Sequence, residues 1–463
     1  MTECTQQAFE FQPLRRREIT AKFDAPAITS DAGGLLLREL DSKFGFIEHF
    51  GRCFRDLRDS RYTTHSLEEL LGQRIFGIAL GYEDLNDHEQ LRYDPLMAVL
   101  AGKIDPDPDE GFALAGKSTL NRLELTTVRP SRYKKIVADH HKIKDFFVDA
   151  FLQIESPQER IVIDLDATDD PLHGHQLGRF FHGYYKSYCY LPLYIFCGSH
   201  LLSAKLRPSN IDGAAGSVKE LTRIVAQIRD HWPNVKIVIR GDGGFCRENI
   251  MHWCESNDVD YVLGLPKNSR LKRAIGKELH EAKQQFEDTQ EASRVYKDFR
   301  YRTKKSWSRQ RRVIGKAEHL AKGENPRFVV TSLCAEAFDA VNIYEVQYCA
   351  RGDMENRIKE QQLYLFADRT SASTMRANQL RLWFSSVAYV LLNALRELGL
   401  KDTKLEKAQC SMIRTKLLKI GAVIRVTVRR VWVSMSGSYP FMDIFRRVFE
   451  NLQSLPVHRL TPD

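Results

Sequence analysis

Apolar residues recur at helical spacing through the first third of the chain. The stretches DAGGLLLRELDSKFGFIEHF (31–50) and HSLEELLGQRIFGIALGYED (65–84) place leucines, isoleucines and phenylalanines three and four positions apart. Asp31 and Ser66 stand at the starts of these stretches and are residue types that cap helix N-termini. The pattern predicts a mainly helical region over residues 1–155.

Beyond residue 155, short runs of apolar and β-branched residues predict strands. ERIVIDLDATDD (159–170), VKIVIRGDGG (235–244) and DYVLGLP (260–266) are such runs. YCYLPLYIFCGSHLLSAKLRPSN (188–210) predicts a pair of strands, and SVKELTRIVAQIRDHWPN (217–234) predicts an amphipathic helix. A strand pair followed by a helix and further strands is typical of an α/β fold with a mixed sheet.

The last third of the chain alternates between the two patterns. NPRFVVTSL (325–333) predicts a strand, and YCARGDMENRIKEQQLYLF (348–366) predicts the start of a helix. RANQLRLWFSSVAYVLLNALREL (376–398) predicts a long buried helix whose apolar centre is too short to cross a bilayer. A strand-like stretch, VIRVTVRRVWVSMS (423–436), and a final helix, MDIFRRVFENLQSL (442–455), follow.

The composition narrows the class of protein and does not change the predicted order of helices and strands. The chain has 463 residues, 43% of them hydrophobic and 28% charged, which excludes a disordered or collagen-like chain. Its net charge of +9 favours a polyanionic partner, nucleic acid first. Its nine cysteines form no C-x-x-C pair, and the N-terminus has no apolar signal-peptide core. We expect reduced thiols, a cytoplasmic location with nucleoid association, and no membrane contact.

Most of the positive charge lies in residues 267–322, which hold 17 Lys and Arg against 7 Asp and Glu. Their centre, RVYKDFRYRTKKSWSRQRRVIGK (294–316), interleaves aromatic and basic residues. The pattern favours a DNA-gripping segment over a solvated hairpin, because basic side chains meet phosphates and aromatic rings stack on bases. The candidate DNA contacts in this segment are Lys267, Arg300, Arg302, Lys304, Lys305, Trp307, Arg309, Arg311 and Arg312.

Carboxylates mark the ends of two predicted strands. Asp164 and Asp166 share one face at the end of the first strand, because side chains alternate along a strand. Asp242 ends the second strand, and Gly243 and Gly244 let the backbone turn closely around it. Both strand ends are expected at one edge of the sheet, where open α/β sheets hold their sites. Crowded carboxylates need a cation, and oxygen ligands suit Mg²⁺ or Mn²⁺.

A third carboxylate is predicted on a helix. Tyr348, Arg351 and Glu355 are three and four residues apart, which aligns them on one helical face. Glu355 could complete a three-carboxylate site beside the sheet. The alternative is a surface helix with ordinary Arg–Glu pairs.

In this order and spacing, the D-A-T, G-D-G-G-F and Y-x-x-R-x-x-x-E motifs resemble the DDE transposases of bacterial insertion sequences. The resemblance is closest to the thirteen-eighty group, within the class that carries a Tyr-Arg-Glu-Lys signature. It is carried by three runs and by the C-terminal run 416–441, and it covers most of residues 20–450. The three runs are IDLDATDDPLHGHQ, IRGDGGFCRENIMHWCESNDVDYVLGLPKN and YCARGDMENRIKEQQ.

The resemblance implies a fold and a division of the chain. The fold is α/β, with an RNase H-like core and mixed sheet, interrupted by a mostly β insertion and flanked by helical N- and C-terminal regions. The implied ranges are a helical region that binds DNA ends (1–155), the first part of the catalytic core (156–270), a basic β-rich insertion (271–340), the second part of the core with the Glu helix (341–400), and a C-terminal region (401–463).

The resemblance also implies a catalytic site. Asp166, Asp242 and Glu355 would hold two Mg²⁺ ions, with Mn²⁺ as a substitute, and Asp164 is the rival for the first aspartate. The family's lysine position is Gln362 in this chain, and Lys359 is the candidate replacement.

Further DNA contacts follow from the same resemblance. Tyr348 and Arg351 would contact a DNA phosphate near the cleaved end, and Lys359 would replace the family's lysine. Independently of the resemblance, Lys267 is a candidate phosphate contact because it follows the strand YVLGLP, with a solvated lysine as the alternative. Trp307 is a candidate for stacking on a flipped base if cleavage passes through a hairpin, with a buried structural role as the alternative.

The implied activity is cut-and-paste DNA transposition, by metal-dependent nicking and strand transfer. The implied partners are terminal inverted repeats, target DNA and a second copy of the chain on DNA. Two alternatives stay open: an RNase H-like metal-dependent nuclease without strand transfer, and a catalytically silent DNA-binding protein.

Overall fold

The computed structural model describes residues 8–103, 113–125 and 127–457. They form two compact units. Unit 1 takes the described parts of residues 1–51, 58–123 and 394–463, and unit 2 takes residues 52–57 and the described parts of 124–393. The N- and C-terminal stretches therefore share one unit. The ranges predicted from the sequence treat them as two separate regions. None of the described helices has the length and apolar character needed to cross a bilayer.

Short strands alternate with helices along the described chain. The strands are β1 (Phe9–Leu14), β2 (Arg17–Ala21), β3 (Ile28–Thr29), β4 (Phe54–Asp56), β5 (Ile136–Ala138), β6 (Arg160–Ala167), β7 (Asp170–Pro171), β8 (Phe180–His182), β9 (Ser187–Tyr190), β10 (Leu193–Cys197), β11 (His200–Lys205), β12 (Lys236–Gly241), β13 (Asp260–Gly264), β14 (Ser293–Tyr301), β15 (Arg311–Leu320), β16 (Gly323–Glu324), β17 (Arg327–Thr331), β18 (Ala422–Thr427) and β19 (Arg430–Met435). The α-helices are α1 (Gly34–Phe44), α2 (Phe46–Gly51), α3 (Leu67–Leu80), α4 (His88–Leu91), α5 (Pro95–Leu100), α6 (Lys117–Glu124), α7 (His140–Ile154), α8 (Ser217–His231), α9 (Glu248–Ser256), α10 (Ser269–Ala274), α11 (Gly276–Thr289), α12 (Gly352–Lys359), α13 (Met375–Ala394), α14 (Cys410–Ile413) and α15 (Met442–Ser454). Tighter 3₁₀ turns occupy Ser60–Tyr62, Leu85–Asp87 and Cys349–Arg351, and wider π turns occupy Asn342–Tyr348, Glu360–Tyr364, Leu395–Gly399 and Arg414–Leu418.

Unit 1 is mainly helical, as predicted, and carries a small sheet in the order β19-β18-β3. The Ser66 hydroxyl caps α3 in a capping box with Glu69, which confirms that N-cap. The prediction that Asp31 caps the first helix was wrong, because α1 begins after Gly33 without a side-chain cap. The Asp31 carboxylate is buried, where it accepts a hydrogen bond from the Tyr82 hydroxyl at 2.6 Å.

Unit 2 is built on a mixed sheet in the order β11-β10-β6-β12-β13-β17-β15-β14, with β16 paired to β15. Strands β6, β12 and β13 are parallel, and their neighbours β10 and β17 run antiparallel to them. This confirms the predicted mixed sheet. The register places Gly241 beside Leu165, so Asp242 follows at the same edge as Asp166. That edge carries the candidate site.

The two faces of this sheet bury different side chains. Ile163 and Ile239 pack with α8 and α9 in one cluster. Val238 and Val262 pack on the other face with Ile343, at the start of the helical stretch 342–364. Because side chains alternate along β6, Asp164 and Asp166 lie on the second face, toward that stretch.

The basic segment differs from its prediction in two ways. Its first part is helical, whereas the resemblance implies a mostly β insertion over 271–340. Leu271, Ile275, Leu279 and Ala282 are buried at helical spacing, a pattern that the charge of the segment hides. Strands β14, β15 and β17, within residues 271–340, also extend the sheet of unit 2, a pairing that the sequence did not predict.

Several basic residues of this segment are used inside the fold. The Arg311 side chain is 2% exposed and pairs with Glu248 and Glu255 of α9, at 2.7 Å each. Arg309 also pairs with Glu255. Trp307 is 4% exposed and packs edge-on against Tyr301. The structure therefore favours internal roles for Arg311 and Trp307 over the predicted DNA contacts.

Arg312 is a second such residue. Its guanidinium is buried, pairs with Asp298 at 2.7 Å and donates to the carbonyls of Leu333 and Phe338. These contacts tie β15 to β14 and to the chain after β17. The structure therefore favours an internal role for Arg312 over the predicted phosphate contact, because its donors point inward.

We expect Arg311→Met to lower the free energy of unfolding by about 3 kcal/mol, since it leaves two carboxylates facing an apolar side chain. Hydrogen bonds from Arg311, Arg309 and Tyr261 outweigh burial and lower the pKa of Glu255 from 4.5 to about 2. A carboxylate whose pKa is lowered on folding stabilises the fold above the pKa that it has in the unfolded chain. The stability lost in Arg311→Met should therefore be complete above pH 4.5 and shrink as the pH falls toward 2. Urea unfolding at neutral and acid pH measures it. Arg309→Met, at an exposed position, is the matched control, and equal losses in both variants would contradict the internal role.

Candidate active site

Two aspartates define the edge of the sheet in unit 2. Asp166 is the penultimate residue of β6, and Asp242 directly follows β12. The Asp242 Oδ1 accepts a hydrogen bond from the Gly244 N–H at 2.8 Å, and a Cβ on Gly244 would lie 2.9 Å from that oxygen. A side chain at Gly244 would therefore displace the carboxylate, which explains the glycine at this turn.

A helical stretch brings the third carboxylate. Residues 342–364 form one continuous helical run, in which Glu355 lies in the first turn of α12. Arg351, one turn earlier, pairs its Nη2 with the Glu355 Oε1 at 2.8 Å. Both face the sheet edge, because Arg351 interacts electrostatically with Asp166, Glu355 and Asp242.

The three carboxylates influence one another. Burial raises the pKa of Asp166 to about 6, and the charges of Asp242 and Glu355 add to that rise. Arg351 opposes it. Burial lowers the pKa of Arg351, but the surrounding anions outweigh this and leave it raised. The site is thus a set of like charges held around one guanidinium.

Within the described residues, no group of three Asp, Glu, His or Cys side chains stands close enough together to hold a metal ion. Arg351 pairs with Glu355, and its charge interacts with those of Asp166 and Asp242, so it offsets part of the repulsion among the carboxylates. Like charges at short range are costly unless a cation lies between them. The carboxylates come from separate elements, two strand ends and one helix, so small movements change their separation.

Asp164 has different surroundings from Asp166. Its two oxygens accept from Arg240 Nε at 2.5 Å and from Arg240 Nη2 at 2.7 Å, and the pair is buried. Arg240 also donates to the Gln347 carbonyl at 2.7 Å. Asp164 therefore joins two strands to the helical stretch, and its oxygens are already used.

A cavity of 350 Å³ adjoins Asp242. It is lined by Gly243, Lys267 and Tyr348 and by two residues that the sequence interpretation missed, Arg327 and Tyr344. Arg327 begins a plain apolar strand, and Tyr344 precedes the signature motif, so neither position had a recognisable signal. With Phe328, the cavity combines two basic and three aromatic side chains next to the turn that follows Asp242.

Tyr348 reaches the turn at the end of β13. A Cβ on Gly264 would lie 2.5 Å from the Tyr348 hydroxyl and 2.9 Å from the Gly243 nitrogen. Only glycine leaves room for the tyrosine and the Asp242 turn at the same time. The glycine at the end of β13 thus makes room for the tyrosine of the signature motif.

The remaining predicted DNA contacts are exposed. Lys267 and Lys359 lie near the site, and Gln362, at the family's lysine position, donates to the Asp169 carbonyl at 3.0 Å. Gln362 is therefore a structural anchor, and Lys359 is an exposed cation one turn after Glu355. The end of β14 and the loop between β14 and β15, together called the basic hairpin turn, present four further exposed side chains: Arg300, Arg302, Lys304 and Lys305.

The mixed α/β fold, with a mixed sheet flanked by helices, is consistent with a DDE transposase. The family described as transposase DDE domain, group 1, matches residues 11–457, and the chain belongs to that family. Membership supports a transposase function and an enzyme that acts on DNA. No curated protein matches the chain.

Asp166→Asn should raise the stability of the metal-free protein at neutral pH by about 2 kcal/mol, because it removes a buried charge that its neighbours repel. The folded pKa of about 6 lies above the ordinary 3.8, so the penalty is absent below pH 3.8 and complete above pH 6. Thermal unfolding with chelator across this range measures it. Asp353→Asn, an exposed neighbour, is the control, and an unchanged or lower melting temperature for Asp166→Asn at neutral pH would count against the described charge cluster.

Asp164→Asn should change the stability of the protein in the opposite direction. It leaves the buried Arg240 guanidinium without its carboxylate, which should lower stability by about 3 kcal/mol. Asp212→Asn breaks the exposed pair with Arg247 and should cost less than about 1 kcal/mol. Denaturant unfolding compares the two, and wild-type stability for Asp164→Asn would show that the Arg240 pair is not structural.

Proposed function

We propose that this chain is a cut-and-paste transposase of the thirteen-eighty insertion-sequence group, which nicks DNA and joins the freed 3′ ends to a target. The observation that carries the proposal is the convergence of Asp166, Asp242 and the Arg351–Glu355 pair at one edge of the sheet. The family match over residues 11–457 supports it independently.

The order of the strands supports an RNase H-like core. Strands β6, β10 and β11 form an antiparallel meander, and β12 and β13 continue on the other side of β6, parallel to it. Helix α8 connects the two halves, and α9 connects the last two strands. The basic segment 271–340 enters between β13 and the helical stretch with Glu355, where the family carries its insertion.

The donor set fits magnesium, with manganese as a substitute. Asp166, Asp242 and Glu355 offer the hard carboxylate oxygens that these ions prefer. Burial is the main cause of the raised pKa of Asp166, and the charges of Asp242 and Glu355 add to it, which supports a cation at this position. When bound, two such ions would supply Lewis-acid activation of a water or 3′-OH and of the phosphate.

The chain's own residues would position the DNA. Arg351 neutralises the carboxylates before DNA arrives and is the nearest guanidinium for the phosphate beside the cleaved bond. Tyr348, held over Gly264, directs its hydroxyl toward the same turn. Lys359 and Lys267 add exposed positive charge for the adjoining phosphates, with Lys359 in place of the family's lysine.

The proposed partners are the terminal inverted repeats, target DNA and a second copy of this chain, because transposition joins two ends. Residues 1–155 are proposed to bind the ends. Arg300, Arg302, Lys304 and Lys305 are proposed to meet backbone phosphates from the basic hairpin turn.

The test is cleavage and strand transfer with Mg²⁺ on the DNA ends that flank the gene. Wild type should give joined products, whereas Asp242→Asn and Glu355→Gln should give none, since each loses a metal-binding carboxylate. Asp353→Asn removes an exposed carboxylate from the same helical turn and should keep activity. Gel analysis of cut and joined strands provides the measurement.

Each other outcome identifies an alternative. Cleavage without joining, even from an end with a preformed 3′-OH, would indicate a nuclease. DNA binding without any cleavage would indicate a silent DNA-binding protein. Full activity in Asp242→Asn would disprove the assigned site.

A further inference from the structure

The connection between β6 and β10 has an unusual composition. Residues 171–190 contain six aromatic residues, three histidines, one arginine and one lysine, and no Asp or Glu. The absence of carboxylates continues to residue 211. In a chain with 60 acidic residues, a basic and aromatic stretch of this length directly after the aspartates of the site is distinctive.

This connection folds into a separate small sheet in the order β7-β9-β8. We call β8, β9 and the turn between them the aromatic hairpin. Its register pairs Phe181 with Tyr188 and Phe180 with Cys189. Cys189 is fully buried, so one face of the hairpin packs inward while Phe181 and Tyr188 occupy the other.

The outer face is aromatic and exposed. Phe181 is 58% exposed, Tyr188 48% and Tyr184, in the turn, 84%. The rings of Phe181 and Tyr188 pack edge-on with centroids 5.6 Å apart, and Arg179 lies 4.6 Å over the Tyr188 ring. Within the described residues nothing covers these rings, although exposed apolar surface of this kind is costly unless it binds something.

The hairpin is fixed and lies beside the candidate site. The Tyr185 hydroxyl donates to the Ala167 carbonyl at 3.2 Å, one residue after Asp166. Ser209 donates to the Phe180 carbonyl at 2.9 Å, and Tyr190 donates to the Leu177 carbonyl at 2.7 Å. The exposed rings are therefore displayed by a braced element rather than by a loose loop.

We infer that the aromatic hairpin is a stacking platform for unpaired bases of DNA at the end being cut. Stacking on aromatic rings needs no particular base, and the neighbouring Arg179 and Lys186 supply charge for the backbone. The hairpin itself carries no carboxylate, which suits a polyanion, although Asp166 and Asp169 lie near its Tyr185 end. The hydrogen bond to Ala167 places the platform next to the strand end where cleavage is proposed. This inference rests on the proposed function.

The test measures binding, so that it does not depend on cleavage. A fluorescein-labelled duplex with a short unpaired thymidine tail is compared with the same duplex with blunt ends, with divalent cations chelated. We expect the full-length protein to prefer the tailed duplex. Phe181→Ala with Tyr184→Ala should weaken binding of the tailed duplex about tenfold, and binding of the blunt duplex little.

Two variants control for unrelated effects. Trp432→Ala removes an aromatic side chain of similar exposure, 52%, that lies outside every proposed DNA contact, and it should leave the preference unchanged. Tyr184→Trp keeps an aromatic ring and should retain the preference. A 2-aminopurine in the tail should be quenched by wild type and by Tyr184→Trp, but not by the double alanine variant.

An equal loss on blunt and tailed duplexes, or no loss on either, would overturn the inference. A change in oligomeric state without a change in tail binding would overturn it too, because the rings would then serve a second copy of the chain. These results stay distinguishable from failure of the proposed function, since strand cutting by the double variant on native ends is measured separately.

Discussion

Electrostatic repulsion at the edge of one sheet is the constraint on which this structure depends. Asp166, Asp242 and Glu355 approach that edge from two strands and a helix, and the charge of Arg351, which pairs with Glu355, offsets part of their repulsion. The arrangement costs stability, which the fold offsets with a large apolar core on both faces of the sheet. Such a site is stable enough to form and still favours the arrival of further positive charge.

Near the site, carboxylates and guanidinium groups of the same type have different roles: some are held in internal ion pairs and others are left accessible. Asp164 lies two residues before Asp166 on the same face, yet a bidentate Arg240 uses both of its oxygens. Arg311 and Arg312 are likewise held in internal pairs, whereas basic residues of the adjoining turn are exposed. Position in the sheet, rather than residue type, separates the groups that stabilise the fold from those available to a phosphate.

Much of this arrangement could be predicted from the sequence, because strands and helix caps have recognisable local patterns. The strands before Asp166 and Asp242 are apolar and β-branched, and the capping box at Ser66 is local, so both were confirmed. The choice between Asp164 and Asp166 could not be predicted, because it depends on Arg240 of a neighbouring strand. Helices α10 and α11 were missed, since dense charge hid their apolar spacing. For Trp307 the sequence left DNA stacking and a buried structural role open, because burial depends on contacts with distant residues such as those that surround it in the fold.

The division into units has a consequence for the order of folding during synthesis. Unit 2 takes all but a few of its residues from one continuous stretch of chain, 124–393. Unit 1 needs both the beginning and the end of the chain, because β3 near the N-terminus pairs with β18. On the ribosome, unit 2 can therefore fold while the N-terminal helices still lack their partner stretch. A chain that stops before residue 394 would keep Asp166, Asp242 and Glu355 but not a complete unit 1. Premature termination would therefore give a protein that has the candidate site without a complete unit 1.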